Sequence, residues 1–217
     1  MKRDPFEALG LSLASGAAEL YLVRHADAVP EGDGSLALYD DYEAHPLSPR
    51  GRAQAELLAE HLAGARIAAV YCSPVPRAAQ TAFPVSARNE LPLHQEEDLR
   101  EVRIGALAGG RSVREQLEAL AAIALREGSW TSIPGTESSR EVRERMLRVL
   151  GSIAQRHRGE RVAVVSHAGA INAALAQIAG TEHDFVFPLA NASISTIRLN
   201  GERSMVLSAN ETAHLRR

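Results

Sequence analysis

The sequence is poor in cysteine and aromatic side chains, and it has no long apolar run. Of its 217 residues one is cysteine, Cys72, and 4% are aromatic. A single cysteine excludes a disulfide within the chain and any metal site built from several thiolates, which favours a reducing compartment. No apolar stretch approaches the roughly 20 residues that a membrane-spanning helix needs. We therefore predict a cytoplasmic protein without a membrane partner.

An excess of charge of either sign is also missing. The chain has 24 lysine and arginine residues against 27 aspartate and glutamate residues, a formal charge of −3 at pH 7. This balance lacks the basic surface that nucleic-acid binding requires, so we predict no nucleic-acid partner. Arginine supplies nearly all of the basic side chains, and individual anion sites therefore remain possible. An apolar fraction of 45% is ordinary for a soluble globular protein.

The hydrophobic pattern predicts one domain over residues 1–217, with an N-terminal extension at 1–18 and a polar tail at 209–217. Strand and helix patterns alternate until the chain ends in a hairpin. We expect a three-layer α/β/α sandwich with a mostly parallel sheet and one antiparallel edge strand. Predicted strands lie at 20–23, 67–72, 89–94, 161–165, 193–199 and 205–208, and predicted helices at 49–62, 75–82, 112–126, 136–157 and 170–179.

The N-terminal extension superficially resembles a signal peptide. Lys2 and Arg3 precede a short apolar segment, but acidic residues and Pro5 interrupt the approach, and Gly and Ser dilute the apolar part. We expect a loose or helical extension instead.

Two predicted buried strands end in histidine. Arg24 and His25 follow the first strand, and His167 follows the strand at 161–165. A third strand ends near Ser73 and leads into a turn that presents Arg77. Because ligands of open α/β sheets bind at the carboxyl ends of strands, these side chains are expected to share one crevice. Two guanidinium groups and two imidazoles form a cationic pocket suited to a phosphoryl group.

Such a pocket has the groups that phosphoryl transfer requires. A neutral imidazole can attack phosphorus and form a phosphohistidine, while neighbouring arginines disfavour its protonation and surround the phosphoryl oxygens. The leaving alkoxide then needs a proton from a positioned acid. Arginines supply the charge that a metal ion supplies elsewhere, so we predict no metal and no cofactor.

Several motifs together resemble the histidine phosphatase superfamily, the phosphoglycerate mutase-like group, and its branch with an acid loop. The similarity spans about residues 19–200, and the motifs occur in the family's order. They are Leu22-Val23-Arg24-His25-Ala26, Leu47 to Gln54, Ser73 to Ala82, Leu99 to Gly105, Pro134 to Ser138 and Val164 to Gly169.

The resemblance implies a role for each pocket residue. His25 matches the histidine that becomes phosphorylated, and Arg24 and Arg77 match the phosphate-binding arginines. His167 matches the second histidine of the phosphate pocket. Glu101 matches the acid that protonates the leaving group.

The first motif departs from the family pattern after its histidine. Ala26, and likewise Ala168, stands where glycine is usual, and the usual Thr and Asn after the first histidine are absent. Asp27 could tune His25 or bond backbone amides in a turn, and the turn is favoured. We expect specificity to lie in the loops at 29–46 and 105–134.

The remaining polar residues are interpreted as structural. Ser73 and Ser166 are expected to orient or cap, and Cys72 to be a buried small hydrophobe. The arginines at 140, 143, 145 and 148 alternate with Glu141 and Glu144, which is typical of a solvated, ion-paired surface. The other histidines (His45, His61, His94, His157, His183 and His214) are expected at the surface or in structural roles.

The predicted function is a metal-independent phosphatase that hydrolyses small-molecule phosphate esters through a phosphohistidine on His25. The alternatives are a phosphoglycerate mutase, a phosphohistidine protein phosphatase and a non-catalytic module that binds phosphorylated ligands. Metal-dependent hydrolysis by His25, Asp27 and His167 is a further possibility. The sequence leaves the substrate and the oligomeric state open.

Overall fold

A computed structural model describes residues 5–28, 45–103, 113–130 and 135–216 of the chain. Six strands in these ranges form one sheet: β1 (Ala18–Arg24), β2 (Ile67–Cys72), β3 (Leu93–Gln95), β4 (Arg161–Ser166), β5 (Ile194–Asn200) and β6 (Arg203–Glu211). Five longer helices accompany them: α1 (Pro49–Leu62), α2 (Pro76–Arg88), α3 (Val113–Glu127), α4 (Ser139–Arg156) and α5 (Ala168–Ala179).

The strands lie in the order β3-β2-β4-β1-β5-β6. The first four run parallel, whereas β5 pairs antiparallel with β1, and β6 pairs antiparallel with β5. The predicted mostly parallel sheet with an antiparallel edge is therefore confirmed. Only β5 runs against the other strands, and its hairpin partner β6 forms the edge.

Strand register brings the predicted site residues together. Arg24 of β1 lies opposite Ser166 of β4, so His25 and His167 leave neighbouring strands at the same level. Cys72 of β2 lies opposite Val165, so Ser73 leaves the sheet on the other side of β4.

Side chains alternate across the sheet and build two cores. Leu20 and Leu22 face the layer of α4 and α5, where the larger core is completed by Met146, Leu150 and Leu175. On the opposite face, a second core unites strand residues such as Val70 with α1 and α2. Helices thus cover both faces, which confirms the three-layer sandwich. That the chain forms one domain stays a prediction.

The described parts of the two terminal segments, residues 5–17 and 209–216, are held to the sheet more closely than predicted. Leu11 and Ala17 are buried, and two 3₁₀ turns at 7–9 and 13–15 form the extension. The guanidinium of Arg198 in β5 donates to the Leu11 carbonyl at 3.1 Å and lies 5.1 Å from the Phe6 ring centroid. The alternative of a loose extension is therefore wrong for residues 5–17. The Arg198 side chain of β5 binds a backbone carbonyl of this partly apolar segment and holds it to the sheet.

The tail is ordered as well. Strand β6 continues through Glu211, and a 3₁₀ turn follows at Ala213–Leu215. His214 lies 3.1 Å from the Ala192 carbonyl through Nε2, and its ring stacks on His61.

Two predicted boundaries shift because local hydrogen bonds end or begin an element. Ser138 and Glu141 form a reciprocal capping box, so α4 begins at Ser139 and not at Thr136. After α2, the Leu91 amide still bonds back to Ser86, and Glu90 has a positive φ of 56°. Strand β3 consequently starts only at Leu93.

Over the described parts of the chain, the helices are too short or too polar to span a bilayer. The cytoplasmic location and the lack of a nucleic-acid partner stay predictions.

Candidate active site

Four predicted site residues meet at the carboxyl ends of β1, β2 and β4. Arg24 ends β1 and His25 follows it; His167 is the N-cap of α5, and Arg77 is the second residue of α2. His25, Arg77 and His167 are buried. The two imidazole centroids lie 5.2 Å apart with the rings tilted by 59°. The structure thus brings these four residues together, while their roles stay predictions.

The hydrogen bonds of His25 leave a lone pair on Nε2. Its Nδ1 lies 2.7 Å from the Ala26 carbonyl, and because a carbonyl can only accept, Nδ1 must carry the proton. Nε2 in turn accepts from Nε of Arg77 at 3.2 Å. Nε2 is thus the basic, unprotonated nitrogen, and it faces a guanidinium that could also bind a phosphoryl oxygen.

His167 has a different environment. Its Nε2 lies 2.9 Å from the hydroxyl of Ser73, while its buried Nδ1 has no hydrogen-bond partner within the described ranges. A buried, unpartnered ring nitrogen is costly unless a ligand completes its bonding. Nδ1 of His167 is therefore an unfilled polar position beside His25.

Both histidines are held neutral. Burial, the charge of Arg77 and the charge of Arg24 hold the pKa of His25 well below its ordinary value. For His167, burial, Arg77 and the neighbouring His25 lower the pKa in the same direction. An imidazole that is neutral at physiological pH keeps the lone pair that a nucleophile needs.

Neutral hydrogen bonds position the His25 loop. The hydroxyl of Thr81 accepts from the Ala26 amide at 2.9 Å and donates to the Arg77 carbonyl at 2.7 Å. The side-chain amide of Asn191 donates to the His25 carbonyl at 3.1 Å. Thr81 thus ties the backbone beside His25 to the turn that carries Arg77, a support that the motif alone did not identify.

Asp27 serves the start of α1. Its carboxylate accepts from the hydroxyl of Ser48, the N-cap of α1, and its amide donates to Gln54 at 2.9 Å. A Cβ on Gly51 would lie 1.9 Å from the Asp27 carbonyl oxygen, so only glycine fits there. These contacts favour the structural interpretation of Asp27, although its partner is a hydroxyl and not backbone amides.

Arg24 is anchored by the segment that follows α5. Its Nη1 donates to the Leu189 carbonyl at 2.5 Å. The buried Asn172 of α5 holds this segment by accepting from the Val186 and Phe187 amides and donating to the Phe187 carbonyl. One buried amide side chain therefore orients the backbone that positions Arg24.

Glu101 lies at the N-terminus of α5, next to His167. Its Oε1 accepts from the amides of Val102 and Ala170 at 2.9 and 3.0 Å, and Oε2 accepts from the Gly169 amide at 3.2 Å. The carboxylate thus caps the helix that carries His167. Since a carboxylate has about four acceptor positions, one on Oε2 remains for a proton.

Two arginine side chains of α4, those of Arg143 and Arg145, are mostly covered, which corrects the prediction of a solvated face. Arg145 forms a two-point ion pair with Glu137 at 2.7 and 2.9 Å, and the exposed fractions of these side chains are 12% and 5%. Arg145 also donates to the carbonyls of Asp98, Arg100 and Glu101. The ion pair therefore holds the segment that carries Glu101.

Arg143 belongs to a second buried pair. It bonds to Asp184 at 2.9 Å, and the same carboxylate accepts from the Trp130 amide and from the hydroxyl of Ser139. Arg140 and Arg148, in contrast, are exposed, as predicted. The arginines had to differ because their side chains leave α4 in different directions.

Trp130 closes the acid side of the pocket. It packs on Phe185 with ring centroids 4.6 Å apart. A Cβ on Gly169 would lie 2.7 Å from Oε1 of Glu101 and 3.1 Å from Cζ2 of Trp130. The glycine therefore permits the close approach of Glu101 and Trp130 to α5.

Several predictions concern residues whose position the structure does not describe. Of the specificity regions predicted at 29–46 and 105–134, residues 29–44, 105–112 and 131–134 lie outside the described ranges. Cys72 is buried, and burial raises its pKa to about 12, which fits an unreactive core thiol.

Among the described residues, no group of three or more His, Cys, Asp or Glu side chains is placed to hold a metal ion.

The fold and this arrangement define a class of protein. Residues 20–212 match the model of the histidine phosphatase superfamily, branch 1. The chain belongs to this family, and the prediction of a phosphoric monoester hydrolase is confirmed at that level.

Particular relatives share most of its length. Phosphoserine phosphatase 1 of Hydrogenobacter thermophilus is 31% identical over 91% of this chain and 94% of its own. A metal-independent phosphoserine phosphatase of Arabidopsis thaliana is 29% identical over 94% of this chain and 86% of its own. The solved structure of Bacillus stearothermophilus YhfR superposes with a TM-score of 0.73 and 25% identity, covering 92% of this chain and all of the other.

Proposed function

We propose that the protein is a metal-independent phosphatase for small phosphate esters that acts through a phosphohistidine on His25. One observation carries the proposal: the neutral, buried His25 has an unprotonated Nε2, 3.2 Å from the Arg77 guanidinium. Curated relatives named phosphoserine phosphatases make phosphoserine the first substrate to try.

In the first step, Nε2 of His25 attacks the phosphorus atom of the ester. As the N–P bond forms, the bond between phosphorus and the ester oxygen breaks, and its electron pair stays on that oxygen. Arg24, Arg77 and His167 hold the three other oxygens and stabilise their charge. Glu101 donates its proton to the leaving oxygen, and the alcohol departs.

In the second step, water attacks the phosphohistidine. Glu101, now ionised, takes a proton from that water as the new O–P bond forms. The N–P bond breaks, its electron pair returns to Nε2, and inorganic phosphate leaves. Arginine guanidinium groups supply the positive charge throughout, so the chemistry needs no metal.

The decisive experiment combines turnover with trapping of the intermediate. Wild type is expected to hydrolyse phosphoserine or p-nitrophenyl phosphate in EDTA and to yield an acid-labile, base-stable phosphoenzyme on rapid quenching. His25→Ala should abolish both, while His94→Ala, in the middle of the edge strand β3, should change neither. Loss of wild-type activity in EDTA would overturn the metal-independent mechanism.

Other outcomes would identify the alternatives. 3-Phosphoglycerate is incubated with the protein and with bisphosphoglycerate, and the products are monitored by phosphorus NMR. Formation of the isomer without release of free phosphate would indicate a mutase. Binding of phosphate esters without any turnover on a broad panel would indicate a binding module. If Glu101→Gln slows ester cleavage, the acid role is supported; if ester cleavage is unchanged while a phosphohistidine peptide is hydrolysed, a phosphohistidine protein phosphatase is favoured.

A further inference from the structure

Ser73 follows β2 and lies beside β4, in contact with His167. The residue is fully buried, and its own amide donates to the Val165 carbonyl at 2.9 Å, which fixes it at the end of the sheet. Its hydroxyl has two neighbours, the Val75 amide at 3.3 Å and Nε2 of His167 at 2.9 Å.

These two neighbours determine where the hydroxyl proton goes. The Val75 amide can only donate, so it occupies a lone pair of the Ser73 oxygen. The hydroxyl proton then needs an acceptor, and among the described residues the one within reach is Nε2 of His167. The opposite arrangement, with the proton on Nε2, would leave a buried hydroxyl without an acceptor, which is unfavourable.

A neutral imidazole carries one N–H, and the nitrogen that bears it is set by the hydrogen bond of the other nitrogen. Nε2 of His167 accepts from Ser73, so the proton must lie on Nδ1. This nitrogen is buried and has no hydrogen-bond partner among the described residues. It can therefore donate a hydrogen bond to an anionic oxygen beside His25.

We propose that Ser73 is a positioning residue that fixes His167 in the Nδ1–H tautomer and so turns this histidine into a neutral hydrogen-bond donor for the phosphoryl group. The proposal rests on the proposed phosphatase function for its phosphoryl ligand, but the tautomer itself is a property of the free protein. Ser73 is not expected to contact substrate.

The tautomer is measured directly by long-range ¹H–¹⁵N NMR on unliganded protein with ¹⁵N-labelled histidine rings. The His167 signals are assigned by their loss in His167→Gln. Wild type is expected to show a protonated Nδ1 and a bare Nε2. In Ser73→Ala the Nδ1–H form should lose population, because Nε2 no longer receives a donated proton.

Ser166→Ala is the matched control. Ser166 is equally buried at the end of the adjacent strand, but its hydroxyl donates to the Leu99 carbonyl at 2.7 Å and leaves the imidazole untouched. This variant should keep the wild-type tautomer even if it is less stable. A change of tautomer in both serine variants would indicate a general packing effect and overturn the proposal.

Ligand binding supplies a second measurement. A hydrogen bond to a charged group contributes about 1.5–3 kcal/mol, so Ser73→Ala should weaken binding of inorganic phosphate and lower kcat/KM by about 10- to 100-fold. Ser166→Ala should bind phosphate like wild type. A protonated Nε2 in wild type, or a Ser73→Ala tautomer identical to wild type, would overturn the assignment. An Nδ1–H His167 in a wild-type protein without phosphatase activity would instead refute the proposed function alone.

Discussion

The two sides of the pocket are held by different kinds of interaction. On the His25 side, neutral groups fix the backbone: the Thr81 hydroxyl, the Gln54 and Asn191 amides and the close packing of Gly51 on Asp27. On the Glu101 side, the buried ion pair of Arg145 with Glu137 fixes the segment.

This difference follows from the charge that each side carries. A cationic guanidinium beside His25 is needed for phosphate, so an anionic side chain paired with that guanidinium would compete with the ligand. The acid side must instead place a carboxyl group near anionic substrate, and the ion pair of Arg145 with Glu137 holds the backbone that carries it. The His25 side should thus be sensitive to changes in shape, and the Glu101 side to changes in charge and pH.

The largest effect is expected from Arg145→Met. It leaves the Glu137 carboxylate buried without its partner and frees three carbonyls of the acid segment, so we expect a loss of about 3–5 kcal/mol in the free energy of unfolding. Urea denaturation measures this loss. Arg148 lies exposed on the same helix as Arg145 and pairs with Asp98. Arg148→Met should lower the free energy of unfolding by about 0.5 kcal/mol or less. Equal costs for the two variants would contradict the charge-based support of this side.

A smaller but still large effect is expected from Gly51→Ala on the His25 side. The new Cβ meets the Asp27 backbone, which cannot give way as a flexible side chain would, so we expect a loss of about 1–3 kcal/mol and reduced turnover. Gly64 has open space around its Cβ position, and Gly64→Ala is the matched control with near-wild-type stability and turnover. Wild-type kinetics in Gly51→Ala would show that the His25 loop tolerates a change of shape.

The smallest effect is a difference in pH dependence between the two sides. The pKa values of His25 and His167 are lowered in the folded state, so the unfolded state binds more protons below about pH 6.5 and stability falls there. Burial alone would raise the pKa of Glu137, but the hydrogen bond and charge of Arg145 outweigh it, and the pKa lies below 4.5. The stability that Glu137 contributes is complete above pH 4.5 and is lost as the pH falls through the lowered value.

Two variants separate these windows in urea titrations at several pH values. His167→Gln should flatten the decline between about pH 6.5 and 4.5, and Glu137→Gln should flatten the decline below 4.5. The pair of Glu19 with Arg198 stays intact in both and contributes equally. An unchanged acid profile in Glu137→Gln would show that this ion pair does not contribute to the pH dependence.

The pocket could be predicted from sequence because the ends of buried strands can be recognised in it. A buried apolar run that stops at a charged residue marks the sheet edge, and parallel strands bring such edges together, as for Arg24, His25 and His167. The support of Arg145 could not be predicted in the same way, since its partners at 98–101 are distant in sequence. One signal was available: Arg145 lies three residues after Val142 and four before Val149, on the buried stripe of α4.

The element boundaries and the residues that hold the site in place depend on interactions that the hydrophobic pattern of the sequence does not contain. Thr81 and Asn172 bind backbone groups of other elements, and residue spacing does not predict such contacts. The polar contacts of the N-terminal extension are of the same kind. The Arg198 side chain that donates to the Leu11 carbonyl belongs to β5, near the other end of the chain.

The single tryptophan has a practical consequence. Trp130 lies against Gly169, which is two residues after His167 at the start of α5, and next to the capping carboxylate of Glu101. Selective excitation of its indole therefore makes the unlabelled protein its own optical probe: emission from one fluorophore, at one known place, reports on the acid side of the pocket as ligands bind.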